Sequence, residues 1–371
     1  MTTKNSADAL NHLWERSMAV TAGGSQTWSK SRGVVGPWDR FPLFAASGSG
    51  SILTLLDGSE VIDLAGANAT AALGYNRPEV ITAVSKVLGV GGTLSLPTKL
   101  EVEASEAMIA AVPYGDVVRW VRSGSEAVSG AVRCACELTN RRKVLRFDGS
   151  YHGWHPWTVE SEVRSSRDTE GNLCVPKVLG PYAAVIVEPP RFREVNGLYI
   201  DWLSELASRC YDSQTALVYD DVVYGFRFAT GGLQEVTDVM PDMACFSKAL
   251  GNGVPIGCIV GRGDWMTDHN MPVSSTFGGE QMGLAAAGAV LEIHKSMDVC
   301  GTLEQLGIEL RSILDKALKS SVIKVEGTSV HFRFVVRDTE PIDQHRSILD
   351  RFLVGALDNG VFIHRHANNV N

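Results

Sequence analysis

Met243-Ala244-Cys245-Phe246-Ser247-Lys248-Ala249-Leu250-Gly251-Asn252-Gly253-Val254-Pro255-Ile256-Gly257 joins a short apolar run to a single lysine and then to a glycine-rich stretch. The run has the length of a buried strand, and the glycines let backbone approach whatever the amine holds. A Schiff-base lysine fits such a position, and so does a surface lysine at a strand-to-loop junction. The neighbouring segments decide. Apolar runs recur upstream at 117–121, 143–147, 183–187 and 216–219, and downstream at 258–260. Amphipathic stretches such as 126–138 and 201–211 lie between them. This alternation predicts an α/β domain with a mostly parallel sheet.

Outside that domain the pattern changes. Asp57-Gly58 stands between two apolar runs within residues 51–63, a hairpin signal. A long helix is expected over about 303–319, followed by a half-exposed strand in Ser329-Val330-His331-Phe332-Arg333-Phe334-Val335-Val336. The expected organisation is an N-terminal arm with a substrate-pocket segment over 1–45, a small α+β domain built from 46–75 and 298–371, and a large domain over 76–297.

Composition narrows the function. The 371 residues are 44% hydrophobic and 20% charged, which suits a globular chain with a sizeable core. A formal charge of −8 argues against a general nucleic-acid binder or a peripheral membrane protein. The seven cysteines are scattered without paired metal-ligand spacing, so reduced thiols, a cytoplasmic location and no metal are expected. No apolar signal core opens the chain.

Three further segments carry chemistry. Arg122-Ser123-Gly124-Ser125-Glu126 follows a strand and opens a helix, either as a simple capping box or as a phosphate site using the N–H groups of Gly124 and Ser125. Asp220-Asp221 closes an apolar run, at the edge where open α/β sheets bind ligands. A structural salt bridge, a metal pair and a partner for a protonated ring nitrogen are the three readings of Asp220. Gly149-Ser150-Tyr151-His152-Gly153 sets an aromatic ring and an imidazole in a glycine-bounded loop, where Tyr151 could stack on a flat cofactor and His152 could orient nearby groups. In this order, with Lys248 placed 28 residues after Asp220, the segments supply the contacts that pyridoxal 5′-phosphate requires.

With Val187-Glu188-Pro189, Gly225-Phe226-Arg227 and Ser275-Thr276-Phe277-Gly278-Gly279 added, the chain resembles the class III aminotransferases of the fold-type-I pyridoxal-phosphate enzymes, in particular the glutamate-1-semialdehyde aminomutase-like branch. The resemblance runs from about Gly23 to the C-terminus. It implies a homodimer with active sites at the subunit interface, and a Lys248 aldimine that alternates with pyridoxamine phosphate as an amino group passes from a donor to a carbonyl acceptor. It implies that Asp220 pairs with the pyridinium, Tyr151 and Val222 flank the ring, Gly124 and Ser125 hold the phosphate, Thr276 reaches the phosphate of the neighbouring subunit, and Glu188 lies beside the cofactor. Gly23 to Arg32 resembles a substrate-pocket segment, so Trp28, Lys30 and Arg32 are substrate candidates beside His152, with either cation suited to a carboxylate or phosphate. A solvated basic turn fits them equally. Thr276-Phe277-Gly278-Gly279-Glu280 is similar to a variant among relatives linked to carbohydrate or natural-product pathways; Glu280 could bond a hydroxylated substrate or serve as a helix-start charge.

The chain also departs from the family pattern. Asp221 stands where a glutamate is usual, the stretch between Trp154 and Val185 is short, Arg191-Phe192-Arg193-Glu194 is unfamiliar, and the end at His364-Arg365-His366-Ala367-Asn368-Asn369-Val370-Asn371 precedes an expected terminal helix. An aminomutase, a racemase and a decarboxylase share the same lysine and aspartate. A catalytically silent assembly subunit is the alternative from another class.

Overall fold

Tyr182–Val187 and Ala216–Asp220 are buried along their whole length, as strands covered on both faces must be. They form the centre of a seven-stranded sheet in the computed structural model, which describes residues 3–37, 43–167, 171–190, 192–267, 273–365 and 369–370. The spatial order is Val117–Val121, Gly257–Gly261, Met243–Phe246, Ala216–Asp220, Tyr182–Val187, Lys143–Phe147 and Glu162–Arg164. Gly257–Gly261 runs antiparallel to both of its neighbours, and every other pairing is parallel. Six strands therefore end at the same edge. Each apolar run expected to be a strand is one; Glu162–Arg164 is an exposed edge strand within the short 154–185 stretch.

The Gly124–Thr139 helix packs on this sheet through Ala127, Val128, Ala131, Val132 and Ala135, spaced as one helical face. Against it lie Val144, Ala184, Ile186, Val218, Cys245 and Ile259. All seven cysteines are free thiols. Among the described residues, no helix is long and apolar enough to cross a membrane.

The chain divides into two compact units, 78–304 and 1–77 with 305–371. In the smaller unit, Ala45–Ser49, Ile52–Leu55 and Glu60–Asp63 form an antiparallel meander. Asp57 accepts the Ser59 N–H at 3.0 Å within its hairpin turn. Val361–Phe362 joins parallel to Glu60–Asp63, so both ends of the chain share one sheet. A second sheet pairs Ile323–Gly327 with Phe332–Val336 around Phe332, Phe334, Ile348, Leu353 and Ile363. The Val299–Ala317 helix runs through the 304/305 division. The first 45 residues fall within the smaller unit. Arg191, His366, Ala367, Asn368 and Asn371 lie outside the described residues.

Candidate active site

Strand register builds the site. Val187 stands opposite Tyr219, and Asp220 opposite Cys245. Glu188 therefore leaves its strand beside Asp220, and Lys248 begins a short turn two residues beyond Phe246. On the other side, Gly257 pairs with Val121, and its Cα packs so closely on the Ser123 carbonyl that a Cβ would lie 2.8 Å from that oxygen. Lys248, Asp220, Glu188, the 149–153 loop and the 123–125 turn thus share one sheet edge.

Asp220 is 4% exposed. Its Oδ2 meets His152 Nδ1 at 2.7 Å, and its Oδ1 accepts the Val222 N–H at 3.3 Å. With the carboxylate as acceptor, the imidazole proton sits on Nδ1. His152 is buried and stacks on Trp157 at 6.4 Å between ring centroids, which fixes the imidazole behind the aspartate. The neighbouring Asp221 is used differently. It is wholly buried, and its Oδ1 accepts the Leu233 N–H at 3.1 Å. Burial pushes its carboxyl well above the usual range; the Leu233 bond opposes this and the Asp220 charge adds to it. Asp221 is thus turned away from its neighbour's partners, bonded to the Leu233 backbone while Asp220 meets His152. Among the described residues, no group of three or more His, Cys, Asp or Glu could hold a metal ion.

Ser123 caps the Gly124–Thr139 helix, its Oγ accepting the Glu126 N–H at 3.3 Å. The Ala127 N–H goes to the Ser123 carbonyl at 3.0 Å. That leaves the N–H groups of Gly124 and Ser125 directed out of the helix start, a geometry suited to an anion. Gly124 is needed there, since a Cβ would come within 2.7 Å of Val222 Cγ1. Gly153 has φ +90°, and a Cβ on it would sit 2.8 Å from Ser125 Cβ, so the aromatic loop closes directly on the turn. Tyr151 is exposed, with its backbone N–H donated to Glu188 Oε2 at 2.9 Å. Lys248 itself has φ +47°, a left-handed conformation of the kind held in place at functional sites. The Ser247 hydroxyl, bonded to the Ile256 carbonyl at 2.6 Å, anchors that turn.

Thr276 lies in an exposed turn over 276–279. Glu280 is buried, and its carboxylate caps the Gln281–Ser296 helix and pairs with Arg122. Sequence reasoning treated Arg122 only as the residue before a cap; the pairing spans two distant segments, and no local pattern marks it.

In the smaller unit, Lys30 and Arg32 line a cavity of about 350 Å³ with Leu53, Leu55, Val61 and Phe362. Trp28 does not join them; it is 62% exposed and borders a separate groove with Arg333 and Arg346. Asn68 also lines the cavity and donates to Ser29 Oγ at 3.3 Å. It sits in a left-handed turn over Gly66–Ala69, with φ/ψ of 51/48° at Ala67 and 58/45° at Asn68. Deeper in, the Tyr75 hydroxyl donates to Asp63 Oδ2 at 2.5 Å, and burial followed by this bond raises the phenol's pKa. Sequence reasoning missed Asn68, Asp63 and Tyr75; Gly66 and Asn68 tolerate left-handed backbone and were the available signal.

The family described as aminotransferase class-III matches residues 35–166 and 176–370. A glutamate-1-semialdehyde 2,1-aminomutase of Methanothermobacter thermautotrophicus is 31% identical, over 95% of this chain and 90% of the relative. Among solved structures, one titled a transaminase with PLP bound superposes with a TM-score of 0.83 at 25% identity, covering 99% of this chain and 92% of the other. A β-phenylalanine aminotransferase from Variovorax paradoxus shares the fold with a TM-score of 0.81 at 23% identity, over 97% of this chain and 88% of its own.

Proposed function

This chain belongs to the class III aminotransferase family and is a pyridoxal-phosphate-dependent enzyme with the fold-type-I architecture, and we propose that it moves an amino group from a donor to a separate carbonyl acceptor. The carrying observation is Asp220, a buried carboxylate backed by His152 at the strand end in register with the strand leading to Lys248. When bound, the cofactor supplies an electron sink for the bond broken at the amino-bearing carbon.

The chain's own residues support the rest. Asp220, oriented by its bond to His152, would pair with the protonated ring nitrogen. Gly124 and Ser125 hold the phosphate with backbone N–H groups at the helix start. Tyr151 and Val222 flank the ring, and Glu188 fixes the Tyr151 backbone. Lys248 would hold the cofactor through its amine and would move the proton at the substrate's amino-bearing carbon. Thr276 serves the phosphate of the neighbouring subunit in a homodimer.

On the substrate side, the cavity lined by Lys30 and Arg32 suits a molecule with an apolar body and an anionic end, a carboxylate being the simplest. Glu280 supports no substrate contact in this reading, because its oxygens are taken by a helix start and Arg122. Intramolecular transfer, as by an aminomutase, is the second reading, favoured by the names of relatives about 30% identical to this chain.

A panel of amino donors and carbonyl acceptors, followed by the cofactor spectrum and by product analysis, tests the proposal. Amine and keto products recovered on different molecules support transfer between substrates. A single isomerised product, with no dependence on a second substrate, would replace it with the mutase reading.

A further inference from the structure

We infer that Arg122 and Glu280 form a positioning pair that sets the phosphate-binding turn, and with it how firmly the cofactor's phosphate is held. The inference rests on the assignment of Gly124 and Ser125 to that phosphate. The Glu280 side chain is 2% exposed. Its carboxylate accepts the N–H groups of Met282 at 3.0 Å and Gly283 at 2.6 Å, and the Arg122 guanidinium closes an ion pair on Oε1. A buried carboxylate requires such a set of partners, and losing one leaves a charge uncompensated.

Arg122 is held from three sides. Its backbone N–H donates to Glu126 Oε2 at 2.6 Å, and Glu126 returns its own N–H to the Ser123 cap. Its guanidinium lies 5.9 Å from the centre of the Phe277 ring. Arg122 thus stands two residues before Gly124, while Phe277 is the residue after Thr276. One planar cation joins the turn that meets one phosphate to the loop whose threonine is assigned to the phosphate of the other subunit. A guanidinium can pair in its plane and stack on its face at once; an ammonium cannot reproduce that geometry. Because the Arg122 charge is engaged by Glu280, the pair acts on the cofactor through the position of the backbone donors and not by contact.

The test separates the phosphate from the rest of the cofactor. Full-length apoprotein is titrated with pyridoxal 5′-phosphate and, separately, with pyridoxal, and binding is read by absorbance and fluorescence. Glu280→Gln should weaken binding of the phosphorylated form about tenfold and of pyridoxal by less than about twofold, a difference of about one decade in dissociation constant. Arg122→Met should match it within about threefold, since two residues acting as one unit share one loss. Equal losses for both ligands would reduce the pair to a general support of the fold and overturn the inference. Unchanged phosphate-dependent binding in a folded variant would do the same. A much larger loss in Arg122→Met than in Glu280→Gln would put Arg122 on the phosphate itself, again against a positioning role. Should Glu280→Gln fail to fold, Phe277→Ala gives the same comparison with a smaller loss of about threefold, carried by the cation–π contact alone. Failure of the underlying phosphate assignment shows separately, as a wild-type protein that binds pyridoxal as tightly as its phosphate.

Discussion

The sheet edge around Asp220 and Lys248 and the cavity around Lys30 and Arg32 are built by opposite means. At the edge, each functional residue sits just past the end of a buried strand, so hydrogen-bond register alone brings Glu188, Asp220 and Lys248 together. In the cavity the chain has little regular structure. Trp28–Lys30 is a single 3-10 turn, and Gly66–Ala69 is left-handed throughout. A rigid scaffold suits chemistry that tolerates no displacement, whereas irregular chain suits recognition, because its residues can change without disturbing a sheet. On the proposed function, reaction type belongs to the first region and substrate recognition to the second.

Lys248→Ala is the strongest attempt to break it. Turnover should fall by about 10⁴-fold or more, as when a residue acting at the reacting atoms is removed. Cofactor held through its phosphate should still survive dialysis, detected by fluorescence of the dialysed protein. Residual activity near wild type would remove Lys248 from the chemistry. Arg32→Ala is the matching test of the cavity and should act on KM, not kcat. A lost charge-assisted contact raises KM for a carboxylated substrate by about 30-fold or more. The corresponding amide or ester should show little change. A fall in kcat with KM intact would move Arg32 from recognition to chemistry and dissolve the contrast.

The next test asks whether the large unit's polar interior is as settled as its edge. His294 is partly buried, with Nδ1 3.0 Å from Thr230 Oγ1, and its desolvation pushes its pKa down to about 4 from the usual 6.5. The folded protein keeps this imidazole neutral, while the unfolded chain protonates it. Its contribution is therefore complete above pH 6.5 and is lost as pH falls towards 4. Relative to wild type, His294→Gln should lose about 2 kcal/mol less stability across that window in urea melts at stepped pH. Parallel curves for the two proteins would show that His294 is hydrated.

How much of this could be read beforehand follows the same division. The parallel strands, the capped 123–125 turn, the strand-end Asp220 and Lys248 were legible because each is a local pattern, set by periodicity and by residue types with a fixed conformational use. The hairpin at Asp57-Gly58 was legible for the same reason. His152 was marked as an orienting residue, yet its bond to Asp220 spans 68 residues and depends on two loops closing together. The Arg122–Glu280 pair and the Asp63–Tyr75 bond are likewise products of tertiary packing. The two adjacent aspartates are both buried, and only the structure shows that Asp220 meets His152 while Asp221 bonds the Leu233 backbone. Lys30, Arg32 and Trp28 are close in sequence and still part company, because the 3-10 turn directs Trp28 to another groove.

The smallest expected effect probes the left-handed turn itself. Left-handed backbone costs an L-residue with a Cβ roughly 1–2 kcal/mol, a penalty that glycine escapes. Ala67 has neither the side-chain bonding of asparagine nor the freedom of glycine, so it carries that cost in full at φ 51°. Asn140, left-handed at the end of the Gly124–Thr139 helix in the large unit, is a residue type suited to its place. Ala67→Gly should therefore stabilise the protein by about 1 kcal/mol in urea melts, against a few tenths for Asn140→Gly. The same Ala67→Gly change loosens the wall that presents Asn68, so KM for a carboxylated substrate should rise a few-fold while kcat holds. A gain in stability without any change in KM would show that the turn is strained for reasons unconnected with the cavity. A loss of stability would mean that the Ala67 methyl group is worth more in packing than its backbone costs.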